Sequence, residues 1–201
     1  MPNKKIYTQE EINKLVSGDF ENCVFDKLEI KAKDFQEVKF NNCSFSECNL
    51  TGTKFNGSEF SNCDFSNANI AGCNFFSSVF NECKLLGLVF PRANSLIGTT
   101  FNKCTFDYAD LRGIDLSNLD LSNSSFVETD LSLSDLTKTV FINSRMINVK
   151  FDGAKLSSTD MRGAELQGIS LKNNLNGIII TPQQLEMLAQ DLGIQVIDAI
   201  N

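Results

Sequence analysis

The chain has 201 residues, 42% of them hydrophobic, and 25 Asp and Glu set against 18 Lys and Arg give a net charge of −7. That is enough apolar material for one domain, while no stretch approaches the apolar length of a membrane span. There is no His, so Ser–His and Cys–His nucleophile chemistry is absent.

The N-terminus, Met1 to Tyr7, has basic residues with no apolar run behind them, so no signal peptide is expected. Thr8-Gln9-Glu10-Glu11 is a capping box. With Ile12, Leu15 and Val16 as an apolar face, it predicts a short helix that closes the start of the fold.

From Phe20 onward a large apolar residue recurs at every fifth position: Phe20, Phe25, Ile30, Phe35 and so on to Phe90. The series slips once in Phe90-Pro91-Arg92-Ala93-Asn94-Ser95-Leu96, then resumes at Leu96, Phe101 and Phe106 and runs to Leu171. All 31 positions carry Phe, Leu, Ile or Met, including 16 of the 17 Phe residues. Neither a helix (period 3.6) nor a strand (period 2) gives a period of five. A short fixed repeat of this length means a solenoid, whose usual use is as a binding surface.

A second register lies two places before each large residue. It holds Gly, Ala, Ser, Thr, Cys or Val in 24 of 31 units, and all seven cysteines fall in it. Two residues in five therefore point inward, one large and one small. The other three are mostly Asn, Ser, Asp, Lys, Thr and Gly, which suit turns and solvent. Cys23, Cys43, Cys63 and Cys83 are 20 apart and Cys104 follows at 21, so four units close one turn of a four-sided coil. Successive coils stack about 4.8 Å apart, and nearly eight of them make a rod about 38 Å long.

The stacked cysteines invite a metal or disulfide reading. However, Ser124, Ser144 and Ala164 continue the same column, so a small residue suffices. Cβ atoms about 4.8 Å apart are also too distant for an unstrained disulfide. An odd number of inward cysteines implies a reducing compartment and a cytoplasmic protein. Lys33 and Leu28 sit in the small register and predict fraying or a bulge near residues 28–34. Asn94, in the same register, marks irregularity at the slip, which reads as a tolerated one-residue insertion.

Thr181-Pro182-Gln183-Gln184 combines a cap, Pro at the first helical position and Gln at the third, and Gly193 supplies a stop. Leu185, Leu188, Ala189 and Leu192 form one stripe, followed by Ile194, Val196, Ile197 and Ile200. This is more apolar surface than an end cap needs, and a two-fold dimer would bury it. The expected dimer residues are Leu185, Leu188, Leu192, Ile194, Val196 and Ile197. The expected divisions are a cap over 1–16, a solenoid over 17–173 and a helix with a dimerisation tail over 174–201.

Charge is unevenly spread. Residues 107–136 carry Asp107, Asp110, Asp115, Asp120, Glu128, Asp130 and Asp135 against Arg112 alone, net −6. At 20 per coil, Asp110 stacks with Asp130 and Asp115 with Asp135. Asp120 lies on the next face, with Asp160 two coils on. Two readings stay open. Asp serves turn hydrogen bonds and solubility, or Asp110, Asp115, Asp120, Asp130 and Asp135 form a face that imitates a phosphate backbone and fits a basic DNA-binding groove.

The repeat resembles the pentapeptide-repeat family. Ala109-Asp110-Leu111-Arg112-Gly113 is close to its consensus, and the resemblance covers about four-fifths of the chain. It implies an all-β, right-handed quadrilateral β-helix of about eight coils with helical caps. Ile180-Thr181-Pro182-Gln183-Gln184-Leu185, with Leu188-Ala189 and Leu192-Gly193-Ile194, is similar to the C-terminal segment of the Qnr quinolone-resistance proteins. That likeness implies a tail-to-tail homodimer that mimics DNA, binds DNA gyrase and topoisomerase IV, and modulates quinolone sensitivity. It implies no cofactor, no metal, no membrane and no direct nucleic-acid binding. The single slip leaves no room for the long loops of many Qnr proteins, so the chain looks closer to loop-free relatives of the mycobacterial MfpA type. The alternatives are a scaffold for another protein partner and a self-immunity protein against a gyrase-directed toxin. Catalysis is not expected, because paired acids on a flat convex surface lack a cleft that excludes water.

Overall fold

The computed structural model describes residues 4–15, 18–169, 176–191, 194, 195 and 197. In chain order the named elements are β1 (Lys5–Ile6), α1 (Gln9–Lys14), β2 (Phe20–Glu21), β3 (Cys23–Val24), β4 (Lys39–Asn41), β5 (Glu59–Ser61), β6 (Val79–Asn81), a 3-10 turn (Phe90–Arg92), β7 (Thr100–Asn102), β8 (Arg145–Ile147), β9 (Glu165–Gln167) and α2 (Pro182–Asp191). The strands are short because each belongs to one side of a quadrilateral β-helix of about eight coils. Residues one coil apart pair in parallel. Phe40 lies beside Phe60, Phe80 beside Phe101 across the slip, and Asp110 beside Asp130. The last described rung, Asp160 with Ile179, is one residue shorter.

Corners follow from the turn chemistry. In most units the residue two after the central one has a positive φ, as at Glu47 (56°), Asn123 (58°) and Leu133 (63°). The next N–H then closes on the central carbonyl, as from Cys48 to Phe45 at 3.0 Å. A positive φ at the third residue of a closed four-residue turn is the type II arrangement, and it explains the supply of Asn and Gly there.

The large residues fill the interior in columns. Phe20, Phe40, Phe60, Phe80 and Phe101 stack with centroids 5.0, 5.1, 4.7 and 5.2 Å apart and planes within 19°. Neighbouring columns meet edge to face, as Phe40 does with Phe45 at 5.2 Å. Both geometries suit the ring quadrupole.

The small inward register has a job beyond size. Thr53 Oγ1 donates to Ile30 O at 2.6 Å, Thr129 to Phe106 O at 2.8 Å and Thr139 to Leu116 O at 2.8 Å, each reaching the central carbonyl of the preceding coil. The cysteine column donates in the same direction but at longer distance, Cys63 Sγ to Phe40 O at 3.3 Å. Ala164 is buried in the same column, so a donor is useful there and not obligatory.

Both ends of the ladder carry capping elements. β1 pairs with β3, and the predicted capping box joins Thr8 and Glu11 at the start of α1. Gln9 acts as a strand surrogate: its amide donates to Glu29 O and accepts from Glu29 N–H, both at 2.9 Å. Lys33 turns outward and donates from Nζ to Asn13 O at 3.2 Å at the end of α1, where a cation suits the helix dipole. Residues 28–34 therefore neither fray nor bulge: Ile30 N–H still reaches Asn49 O at 2.7 Å and Phe35 N–H reaches Lys54 O at 2.8 Å. At the far end Gln184 repeats the device, donating from Nε2 to Met161 O and Ala164 O at 2.8 Å each. Its Oε1 also accepts from Thr181 N–H at 2.9 Å, completing the predicted cap of α2.

Candidate functional site

The acidic face is built by the turn chemistry. Oδ1 of each central-minus-one aspartate accepts the N–H two residues on: Asp110 from Arg112 at 3.0 Å, Asp115 from Ser117 at 2.9 Å, Asp120 from Ser122 at 2.9 Å, Asp130 from Ser132 at 3.0 Å and Asp135 from Thr137 at 3.0 Å. Asn69 and Asn74 make the same bond to Ala71 and Phe76. The turn needs the oxygen and not the charge. Asp107 instead ties its Oδ1 to the next coil, accepting from Ser125 Oγ at 2.6 Å and Val127 N–H at 2.9 Å.

The expected stacks are present. Asp110 pairs with Asp130 and Asp115 with Asp135, while Asp120 lies beside Val140 and then Asp160. Each double stack meets a base on the following coil, which a charge count over residues 107–136 misses: Asp130 is beside Lys150, and Asp135 beside Lys155. The same 20-residue step, applied once more, points to both lysines. Arg112 grips Asp110 at 2.6 Å and lies 3.9 Å from Asp130, and Lys155 binds Asp135 at 2.8 Å. The Arg112 guanidinium holds the Asp110 carboxyl below its usual range, and hydrogen bonding to Lys155 lowers that of Asp135 to about 2. Arg162 likewise lowers that of Asp160. Asp115 and Asp120 are both exposed, and among the described residues neither has a cation within 4 Å. The acidic cluster thus resolves into three half-buried, partnered carboxylates and two exposed ones.

Asp115 and Asp120 are exposed because the ladder breaks above them. The rungs that would join Ser95 to Asp115 and Thr100 to Asp120 are absent among the described residues. Among those residues, Leu96, Gly98, Asp115 and Asp120 donate no backbone hydrogen bond, and the carbonyls of Asn94, Asp115 and Ser117 accept none. One coil later the same rung is intact: Leu116 N–H reaches Asp135 O and Asp135 N–H reaches Ile114 O. A cleft of about 410 Å³ fills the gap, lined on one lip by residues 93–99 and on the other by residues 113–119. Two causes coincide. The upper lip carries the extra residue of the slip. The lower lip carries Ile114 and Leu119, branched residues in the register that elsewhere mostly holds small ones. Both are half-buried against the core. Asn94 is exposed rather than inward, and Ala93 takes the inward place.

The cysteines offer no competing chemistry. All seven are free and buried, and burial pushes the thiols of Cys48, Cys73 and Cys104 up to about 12. No set of three or more His, Cys, Asp or Glu among the described residues is arranged to hold a metal ion, and no helix among them is long and apolar enough to cross a membrane.

At the C-terminal end the expected dimer residues separate. Leu188 is 4% exposed and packs into the protein's own core, so it caps the last coil rather than facing a partner. Leu185 (60%), Ile194 (54%) and Ile197 (84%) are exposed, together with Ile179 and Met187. Leu192 and Val196 lie outside the described residues.

Two sequence profiles match the chain, one described as a pentapeptide repeat region over residues 14–90 and one as pentapeptide repeats (eight copies) over 95–132, 114–153 and 134–173. The chain belongs to the pentapeptide-repeat family. The profiles part at the slip, where the coil itself is interrupted. Among solved structures the chain is similar to full-length QnrB1, a plasmid-mediated fluoroquinolone resistance protein, with TM-score 0.76 and 18% identity over 94% of this chain and 95% of that one. A trypsin-treated form of QnrB1 gives TM-score 0.67 at 18% identity, over 97% of this chain and all of that one. At this identity the likeness shows the fold. No curated protein sequence matches.

Proposed function

We propose that this pentapeptide-repeat protein is a non-enzymatic, cytoplasmic DNA mimic that binds a type II topoisomerase, DNA gyrase or topoisomerase IV, and modulates quinolone sensitivity. The observation that carries the reading is the net −6 of residues 107–136, laid over adjacent sides of a rigid rod, with carboxylate charge that the turns do not require. Rungs about 4.8 Å apart present negative charge on a scale comparable with a nucleic-acid backbone, where one strand advances about 3.4 Å per phosphate. A basic groove shaped for duplex DNA is attracted to both by the same field. The whole-length likeness to QnrB1 supports the choice of target, and the exposed Leu185, Ile194 and Ile197 support a homodimer through the C-terminal end.

The test is gyrase supercoiling titrated with the protein, with and without a fluoroquinolone. Restored supercoiling under drug supports a protector, and inhibition without drug supports mimicry alone. No effect at tens-of-micromolar protein sinks the reading. A scaffold is the second reading, favoured by one observation: every Asp of the face also closes its own turn.

A further inference from the structure

Where the coil stops, this protein twice covers a rung with a Gln amide, at Glu29 and at Met161. The cleft between residues 93–99 and 113–119 interrupts the ladder inside the rod and has no such cover among the described residues. Among the described residues, its lips present unpaired donors at Leu96, Gly98 and Asp115 and unpaired acceptors at Asn94, Asp115 and Ser117. Its walls are apolar, from Ala93, Leu96, Ile114 and Leu119. Ile97 stands 72% exposed at its mouth, with Phe76 (47%) on the coil above. Its lower rim carries Asp115, and Asp120 follows directly after the lining residue Leu119; these are the two carboxylates of the face without a cation within 4 Å among the described residues.

We propose that this cleft is a docking site for an extended segment of a partner protein in which apolar and basic residues alternate. Unpaired main-chain groups on two facing lips recognise a strand, since a strand offers donors and acceptors at the matching repeat. Alternation places every second side chain on the same side, so apolar residues enter among Leu96, Ile114 and Leu119 while Lys or Arg reach Asp115 and Asp120. The complementary charge selects a basic segment over an acidic one and speeds its arrival. The site is defined by the break in the coil and stands whether or not the partner is a topoisomerase.

The probe is a synthetic alternating Lys–Ile hexapeptide, compared with its Glu–Ile counterpart and with a backbone N-methylated Lys–Ile version. Amide hydrogen exchange on the full-length protein reads the site residue by residue. Saturating Lys–Ile peptide slows exchange at Leu96, Gly98 and Asp115 and leaves the rung between Leu116 and Asp135 unchanged. N-methylation abolishes the effect. The Asp115→Asn, Asp120→Asn double variant keeps both turn bonds, as Asn69 and Asn74 do, and weakens the Lys–Ile peptide by about threefold to tenfold, the range of one or two exposed ion pairs. Three outcomes overturn the proposal: no added protection at saturation, equal binding of the N-methylated peptide, or equal binding of the Glu–Ile peptide. Protection of the same amides that appears with rising protein concentration alone, alongside a doubled mass, makes the occupant a second copy and also overturns it.

Discussion

The coils before the slip and those after it share one backbone and differ in almost everything else. Twelve of the 17 Phe residues lie at or before Phe90, and all of them but Phe76 and Phe90 stack ring on ring. After Phe126 the columns continue mostly in Leu and Met. The small register changes in step, from cysteines interleaved with hydroxyls, where Cys63 donates at 3.3 Å and Thr53 at 2.6 Å, to a register without cysteine after Cys104, where Thr129, Thr139 and Thr159 donate at 2.8 Å. The surface changes too, from near neutrality over residues 1–106 to net −6 over 107–136. In a solenoid each coil touches only its neighbours, so interior chemistry and surface charge vary independently while the five-residue spacing is kept. Where the spacing and the small register fail together, at residues 91–96 and at Ile114 and Leu119, the two segments part.

The comparison is broken most forcefully in the interior. Phe60→Ala, at a fully buried ring stacked between Phe40 and Phe80, should cost about 3–5 kcal/mol in urea unfolding. Leu131→Ala should cost about 2–5 kcal/mol, and Leu116→Ala, beside the cleft, should fall clearly below it because the site can relax. Equal costs at Leu116 and Leu131 would mean that the break does not soften its surroundings.

The inward hydroxyls come next. Thr139→Val leaves the buried Leu116 carbonyl with only the 3.3 Å turn bond from Leu119 N–H and should cost about 0.5–1.5 kcal/mol. Cys63→Ala, which loses a long thiol bond, should cost less than Thr139→Val in the same assay. The reverse order would place the importance of this register in volume alone.

A smaller effect is pH-linked. The folded Asp135 carboxyl lies at about 2, below its ordinary 3.8. Its stabilisation is therefore fully present above pH about 3.8 and is lost as pH falls through about 2. Asp135→Asn should lower the urea midpoint at pH 5, and the difference from the parent protein should shrink as pH approaches 2. A difference that is constant over that range would remove the Lys155 pair as its cause.

The period of five, the 20-residue step of the cysteines and the two capping sequences make the coil and both helices legible in the amino-acid sequence. Each is a local pattern repeated or signed by a cap. Three features are not legible there because they depend on where a side chain finds its partner. Lys33 leaves the interior to meet the end of α1, so its segment stays in the ladder. Leu188 turns onto the last coil although it shares a stripe with the exposed Leu185. The acidic stacks meet Lys150 and Lys155 one coil beyond the window of residues 107–136. The break itself leaves a trace in the sequence: Leu88, Asn94, Ile114 and Leu119 are oversized or polar residues in the small register, gathered around the slip. Its meaning requires the ladder.

The central claim is that carboxylate charge, and not the turn it closes, recognises the partner. Displacement of a fluorescent duplex from DNA gyrase by this protein tests it most directly, using a variant with Asp110, Asp115, Asp120, Asp130 and Asp135 all changed to Asn. Asn keeps the turn bonds, so the rod remains folded by circular dichroism. The account predicts that the parent protein displaces the duplex and that the variant needs at least about tenfold more protein to do so, a loss of about 1.4 kcal/mol, with a weaker dependence on salt. An unchanged displacement midpoint in a folded variant would contradict it.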